Sequence, residues 1–530
     1  MENIAVVIFL LTVVTVLAEI TDKVHIPHPI LLVLAGIGIG LIPGLPHIQL
    51  EPDTVFLIFL PPILYEAAWN TSWANFKKAR RPIFLLATGC VIFTAGLVAL
   101  LAHTFIPYLD WPEALVLGAI ISPPDAVAAA AATRGLAIPK RISTILEGES
   151  LVNDATGLIA YRYAIAFVAT GTFGVWSAGL QFIVVALGGI LLGLAVGFLF
   201  KKIHQITPDN PTIDTAFTFL APYVAYLSAE WFHLSGVLAV VAAGLFVSRS
   251  SSTVFSQQTR LNAYGSWGTV IFLLNGVIFI LIGLQLPVIL ENIEVLSLGT
   301  LFYYGAIVSI AVILVRLLWV YPGSYIPRWI SKKIRRIEPE PDIRHVTIVG
   351  WSGMRGVVSL AAALALPLTI DGTTEPFPNR ELIIFLTFSV IFSTLVIQGL
   401  TLRPLIRILG ITSDGIEAKE ETEARLILAS SVIEHIEENY ALGLSDEVLN
   451  QIKTKYEIRI QRIRKSQEEH KMDDGQINEF HRIQQELLDK ERSVILNLRS
   501  VGKVSDEVMR KIEYELDLEE TRLILERGAA

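Results

Sequence analysis

The chain is dominated by apolar stretches, each roughly 17 to 25 residues long, that are separated by short polar connections. A helix of this length crosses the hydrocarbon core of a bilayer, where only helices and closed barrels satisfy every backbone polar group. The sequence therefore predicts an all-α polytopic membrane protein. We count about thirteen transmembrane helices, at approximately residues 1–20, 28–45, 53–70, 83–106, 112–134, 146–170, 176–201, 213–231, 235–249, 267–289, 299–321, 345–368 and 381–408.

The charged residues divide the chain into two parts. Only 17% of all residues are charged, against about 25% in a typical soluble domain. Residues 413–530 nevertheless hold 18 of the 42 basic and 27 of the 50 acidic residues. We therefore expect a transmembrane domain at residues 1–412 and a cytoplasmic tail at residues 413–530. The tail is predicted to form four charged amphipathic helices. It would either regulate the protein or stabilise a dimer, or else serve as a plain cytosolic cap.

Basic residues concentrate in alternate loops between the predicted helices. Residues 77–81 and 328–344 are examples, whereas the loops on the other side hold only Arg380. Loops rich in lysine and arginine stay on the cytoplasmic side of a membrane. We therefore expect a multi-pass protein of the cell membrane (plasma or inner membrane), with its N-terminus outside and its C-terminus in the cytoplasm.

The sixth predicted helix opens with the sequence EGESLVNDATG. Four of its residues share one helix face by their spacing: Ser150, Asn153, Asp154 and Gly157. A charged side chain inside a bilayer is costly and marks an ion pathway or a buried partner. Hydroxyl, amide and carboxylate oxygens are ligands that suit hard cations. This face is a candidate cation site, and the alternative is that its polar groups only join neighbouring helices.

Two predicted helices carry signs of a break near their centres. In the fifth, Pro123 and Pro124 precede Asp125, and each proline lacks an N–H and clashes with the preceding turn. In the twelfth, three glycines surround Arg355. Broken helices in transporters expose free carbonyls and dipole ends that hold ions. Because the two helices are seven apart and so antiparallel, they favour two inverted repeats with interrupted crossing helices.

Arg355 keeps its proton inside the bilayer and needs a counter-charge. Glu149 is the first candidate, so the sequence predicts a structural ion pair between Glu149 and Arg355. That pair would leave Asp154 and Asp125 as the exchangeable carboxylates. Asp154 itself is the alternative partner for this arginine. Arg316 lies nearer the predicted inner surface and can extend its side chain toward water.

The order of these motifs resembles the monovalent cation:proton antiporter-1 family, which contains the bacterial NhaP-type exchangers and the animal sodium/proton exchangers. The motifs are LPPILYEAA in the third predicted helix, the broken helix with Asp125, the EGESLVNDATG stretch, and GMRG around Arg355. The chain departs from the family's usual Thr-Asp-Pro, since it has Pro124, Asp125 and Ala126. The resemblance implies the thirteen-helix fold, exchange of cations for protons, and a homodimer.

The resemblance also implies roles for individual residues. Asp154 would bind the cation and the proton in turn, and Asn153 would complete the family's Asn-Asp pair. Ser150, Asp125 and Glu66 would assist the ion site, with Asp154, Asp125 and Ser150 as transient Na⁺ ligands. Family members with this pair are generally electroneutral, because one titrating carboxylate exchanges one proton for one cation. We therefore expect 1:1 exchange of Na⁺ or Li⁺ for H⁺.

Other function classes fit the sequence less well. A K⁺/H⁺ antiporter of the same fold is the strongest alternative, because Na⁺ and K⁺ are both oxygen-ligated. An ion channel is less favoured, because a channel does not require two broken helices in inverted repeats. An enzyme is not expected, because neither a GxGD aspartate pair nor a Ser/His dyad is apparent. The partners expected are monovalent cations, protons, the lipid bilayer and a second copy of the chain, with no nucleic acid and no cofactor.

Overall fold

The computed structural model describes the chain in segments that are almost wholly helical. The described residues are 2–24, 27–42, 52–133, 136, 138–171, 174–206, 210–291, 293, 296–338, 340–370, 375–412, 415–440, 453–454, 456–457, 460–461, 474–500 and 506–527. Within these segments the β-structure is confined to an isolated bridge between Thr369 and Pro376. The predicted all-α fold class is confirmed.

The chain separates into two compact units, Met1–Ser413 and Asp414–Ala530. The helices described in the first unit are α1 (Glu2–Val24), α2 (His28–Gly40), α3 (Pro52–Asn70), α4 (Trp73–Phe84), α5 (Val91–Phe105), α6 (Trp111–Ile121), α7 (Ala126–Thr133), α8 (Lys140–Thr170), α9 (Val175–Ile206), α10 (Pro211–Trp231), α11 (Gly236–Val254), α12 (Gln257–Glu291), α13 (Leu298–Ile330), α14 (Lys332–Ile337), α15 (Ile343–Trp351), α16 (Val357–Leu364) and α17 (Arg380–Ile408). A π-helical segment, Leu85–Cys90, joins α4 to α5.

Five of the described helices are long and apolar enough to cross a membrane by themselves. They are Trp73–Phe105, Gly179–Ile206, Gln257–Glu291, Leu298–Ile330 and Arg380–Ile408. Five further apolar helices are shorter, among them α2, α6 and the first part of α11. The number of thirteen passes and the inverted-repeat symmetry stay predictions.

Two helices are interrupted, and their interruptions lie against each other. Residues 122–125, which include both prolines, separate α6 from α7. Residues 352–356 separate α15 from α16. The N–H of Asp125 donates to the carbonyl of Met354 at 2.7 Å, so the two irregular segments are joined directly. Irregular backbone at this depth needs such protein partners because lipid supplies none.

Buried apolar side chains of the first unit form two main clusters. One is built largely from α5, α6, α13 and α17, and the other from α9, α10 and α11. Three helices, α3, α8 and α12, contribute to both clusters. These three helices therefore form the boundary between two packed bodies, and the cavity described below lies along this boundary.

The second unit contains α18 (Ile416–Tyr440), α19 (Asp474–Ser500) and α20 (Asp506–Arg527). Arg492 of α19 bridges Asp517 at 2.5 Å and Glu520 at 2.6 Å on α20. Gln485 also donates to Glu520 at 2.6 Å, and these hydrogen bonds lower the pKa of that carboxyl. One of the four helices expected in the tail falls around residues 447–465, and most of that range lies outside the described residues.

Candidate ion site

A cavity of about 480 Å³ runs between the broken helices and α3, α8 and α12. Its polar lining groups include Glu66, Asp125, Ser150 and Asp154. Asp154 is only 7% exposed, and it lies near enough to Asp125 for their charges to interact. The predicted face of α8 therefore brings a hydroxyl and a carboxylate to the cavity, opposite a second carboxylate. Oxygen groups of this kind are suited to a hard monovalent cation.

Asp125 lies where two half-helices begin. Its carboxylate accepts the N–H of Val127 at 2.8 Å and also faces the N–H groups of Ala128 and Val357. These residues belong to the first turns of α7 and α16, whose N–H groups have no partner inside their own helices. One carboxylate thus offsets the positive dipole ends of both half-helices. The contacts on Asp125 combine a capping role with its place in the cavity wall.

Arg355 places a positive charge at the C-terminal ends of the two half-helices that end at the crossing, α6 and α15. Its Nε donates to the carbonyl of Ile121 at 2.7 Å, and one guanidinium nitrogen donates to the carbonyl of Gly353. Its backbone N–H donates to Thr394 Oγ1 at 3.0 Å, and the residue is 1% exposed. The free carbonyls at the C-terminal ends of α6 and α15 therefore supply much of the negative potential that this buried cation needs.

The predicted ion pair between Glu149 and Arg355 is wrong. Glu149 instead forms a two-bond ion pair with Arg316 of α13, at 2.6 and 2.8 Å. Arg316 also donates to the carbonyl of Val349 at 3.1 Å and is 1% exposed, so its side chain does not extend to water. The planar guanidinium donates to both carboxylate oxygens at once, which makes this pair strong and fixes the relative orientation of the two side chains.

Asn153, which the sequence predicts as part of the ion site, contacts the broken helix. Its side-chain Nδ2 donates to the carbonyl of Pro124 at 2.7 Å, and the residue is fully buried. This bond satisfies a carbonyl that the broken helix leaves free. Beside it, Gly157 lets α8 approach the break, since a Cβ there would lie 2.8 Å from Pro123 Cγ. Asn153 and Gly157 thus position α8 against the break, and neither lines the cavity.

Glu66 lies on the cavity wall formed by α3, one helical turn before Asn70, which donates to its Oε1 at 2.5 Å. The structure thus places Glu66 in the same cavity as Asp154, Asp125 and Ser150. It does not place Asn153, Glu149 or Arg355 there. Among the residues that the structure describes, no group of three His, Cys, Asp or Glu side chains could hold a metal ion.

Three further polar residues, Ser359, Arg162 and Asn275, have contacts or positions that the sequence does not predict. Ser359 of α16 donates to the carbonyl of Ile120 at 2.7 Å and so helps to fasten the crossing. Arg162, for which the sequence names no partner, donates to Glu230 of α10 at 2.9 Å. Asn275 of α12 also lines the cavity. Each depends on which helices become neighbours, although a polar residue inside an apolar run marks all three as candidates.

We expect Gly356→Ala to destabilise the protein by about 3 kcal/mol or more, because the Asp125 carboxyl group is held by backbone N–H groups and cannot easily move aside. A Cβ at this position would overlap Oδ2 of Asp125. Gly38→Ala is the matched control, since an added methyl there meets nothing within 4 Å. Thermal unfolding of the two purified variants in detergent measures the difference. Equal midpoints would contradict the close approach.

The comparisons with known proteins agree with this architecture. The family described as "Sodium/hydrogen exchanger, transmembrane" matches residues 7–408. An uncharacterized Na⁺/H⁺ exchanger from Mycobacterium bovis is 32% identical over 529 residues, which cover 98% of this chain and 96% of that protein. A Na⁺/H⁺ antiporter from Aphanothece halophytica is 32% identical and covers 78% of this chain and 75% of its own.

Two further similarities extend the comparison. A sodium, potassium, lithium and rubidium/H⁺ antiporter from Bacillus pumilus is 35% identical, over 71% of this chain and 57% of that protein. The solved structure of a sodium proton antiporter from Methanocaldococcus jannaschii superposes with a TM-score of 0.61 at 21% identity, and covers 77% of this chain and all of that one. The chain therefore belongs to the sodium/hydrogen exchanger family of membrane-embedded, multi-pass cation:proton antiporters.

Proposed function

We propose that this protein exchanges Na⁺ or Li⁺ for H⁺ by letting the two compete for Asp154. The observation that carries the proposal is the buried Asp154 carboxylate, which shares a cavity with Asp125 and Ser150. A carboxylate that holds a cation cannot hold a proton as well. If the cavity is exposed to each side in turn, this competition alone couples the two fluxes. Asp125 and Ser150 would complete the oxygen shell of a transient Na⁺.

The boundary position of the cavity supports alternating exposure. The helices that line it, α3, α8 and α12, join two separately packed clusters. A small displacement of one cluster against the other would therefore open or close the cavity at one end. Domain motions of this kind around a fixed site near the midplane are how repeat-based transporters alternate access.

We expect exchange to be electroneutral, with one proton moved for each cation. The cavity holds Asp154 as the exchanging group, while Asp125 is occupied by backbone N–H groups. The test is transport by the purified protein in proteoliposomes whose membrane potential is clamped with K⁺ and valinomycin. The pH change driven by Na⁺ should be independent of the imposed potential. An imposed potential that drives net exchange would contradict the 1:1 ratio.

Potassium is the second candidate cation, because relatives from Bacillus are named as antiporters of sodium, potassium, lithium and rubidium. Proton flux on addition of Na⁺, Li⁺ or K⁺ at equal concentration separates these cases. We propose Na⁺ and Li⁺ as the better substrates. A larger response to K⁺ would reassign the protein as a K⁺/H⁺ antiporter.

We further propose that the protein is a homodimer of the cell membrane, with its C-terminal tail (residues 413–530) in the cytoplasm. Lysine and arginine residues concentrate in the loops on the predicted inner side, which supports this orientation. In that orientation the start of α8 lies at the cytoplasmic surface, and the cavity opens there. Protease accessibility of the tail in everted vesicles tests the orientation, and cross-linking tests the dimer.

A further inference from the structure

The cavity has a charged outer part that the exchange mechanism does not use. Lys140, Glu147 and Asp154 line the cavity along one helix, α8, at intervals of seven residues, and the first two belong to this outer part. Seven residues are about two turns, so these side chains share a face at steps of about 10 Å. An ion that enters from the start of α8 therefore passes Lys140 first, then Glu147, and reaches Asp154 about 21 Å from the entrance.

Two carboxylates line this outer part of the cavity from different helices. Glu66 of α3 and Glu147 of α8 both line the cavity, and their charges interact. Paired carboxylates favour a divalent cation over a monovalent one, because Coulomb attraction grows in proportion to the charge of the ion. A divalent ion between Glu66 and Glu147 would block the route to Asp154.

The positive charge of Lys140 opposes the attraction of the two carboxylates for a divalent cation. It is exposed at the first residue of α8, and its charge interacts with Glu147. The first turn of α8 contains no acidic residue, although acidic side chains are the ones that a helix N-terminus stabilises. The helix itself therefore does not favour lysine here, and Lys140 places a positive charge in the lining of the outer part of the cavity.

We propose that Lys140 is a specificity-determining residue, whose positive charge keeps divalent cations out of the cavity while monovalent cations pass. This inference rests on the proposed exchange function. The repulsion acts through space, so the energy it adds for a divalent ion is twice that for a monovalent ion. If removing this charge changes the affinity for a monovalent cation by some factor, the affinity for a divalent cation should change by the square of that factor.

The experiment is Mg²⁺ inhibition of Na⁺-driven proton exchange in everted membrane vesicles, where the cytoplasmic surface faces the bath. In Lys140→Gln we expect the KM for Na⁺ to fall about twofold and the half-inhibiting Mg²⁺ concentration to fall about fourfold. Lys140→Arg should resemble wild type. Lys140→Gln combined with Glu147→Gln should lose the added sensitivity to Mg²⁺. Lys78→Gln is the control, since Lys78 is exposed on α4 and does not line the cavity.

Unchanged Mg²⁺ inhibition in Lys140→Gln would overturn the proposal, as would equal fold-changes for the two ions. Glu147→Lys tests the same field without altering the start of α8, and it should raise the half-inhibiting Mg²⁺ concentration. Failure of the proposed function is recognised separately, because the wild type would then show no Na⁺-driven proton flux, or Asp154→Asn would keep the wild-type flux. Wild-type exchange with no valence-dependent effect at Lys140 would refute only the role of Lys140.

Discussion

Replacing Asp154 by asparagine is expected to lower Na⁺/H⁺ exchange about 100-fold or more. Asparagine cannot carry the exchanged proton, and it has no negative charge to pair with the cation. Losing one direct charge–cation contact in a site of low dielectric costs at least about 3 kcal/mol, which corresponds to about two orders of magnitude. Proton flux in proteoliposomes on addition of Na⁺ measures the effect.

The unfolding midpoint of Asp154→Asn shows whether the loss of exchange comes from the site or from misfolding. Asp154 is a buried carboxylate whose close charged neighbour, Asp125, has the same sign. Its neutralisation should therefore leave the unfolding midpoint unchanged or raised. Asp125→Asn should behave differently and lower the midpoint, because two helix N-termini lose their shared counter-charge.

A matched control is available at Asp110, which is exposed before α6 and makes no side-chain capping bond. Asp110→Asn should exchange normally. Normal exchange by Asp154→Asn would refute the assignment of Asp154, whatever the other variants show.

Features that depend on neighbours within one helix could be predicted from the sequence. The spacing of Ser150 and Asp154 follows from helix geometry, and both line the cavity. The prolines before Asp125 act on their own helix, and the structure has non-helical backbone at 122–125. The all-helical class follows from apolar length alone, because a bilayer leaves few other ways to satisfy the backbone.

Features that depend on how distant helices meet could not be predicted in this way. Glu149 and Arg316 are 167 residues apart, and pairing them requires knowing that α8 contacts α13 through the region of the crossing. The sequence predicts a carboxylate partner for Arg355 because it shows side chains and not free carbonyls. Its actual partners, the carbonyls of Ile121 and Gly353, exist only once two helices are broken and face each other.

The second large effect is expected at the ion pair between Glu149 and Arg316. Glu149→Gln should destabilise the protein by about 3–5 kcal/mol, because it leaves the buried Arg316 guanidinium without its counter-charge. For a transmembrane domain of this length, that loss corresponds to a fall of about 5 °C in Tm. Thermal unfolding in detergent measures it, with exchange recorded on the same preparations.

A double-mutant cycle decides which arginine is the partner. Arg316→Met combined with Glu149→Gln should recover most of the lost stability, because replacing both members of a buried pair by neutral groups is often close to neutral. Arg355→Met combined with Glu149→Gln should instead show the sum of two separate losses. Arg355→Met removes the donors to the carbonyls of Ile121 and Gly353, and it does not relieve the unpaired charge of Arg316. Recovery by Arg355→Met, with none by Arg316→Met, would restore the pairing inferred from the sequence and refute the geometry of α8 and α13.

The exchange measurements carry a further distinction, because neither Glu149 nor Arg316 lines the cavity. The neutral pair should therefore regain transport together with stability, whereas a variant that is stable but inactive would show that the pair also sets the position of Asp154.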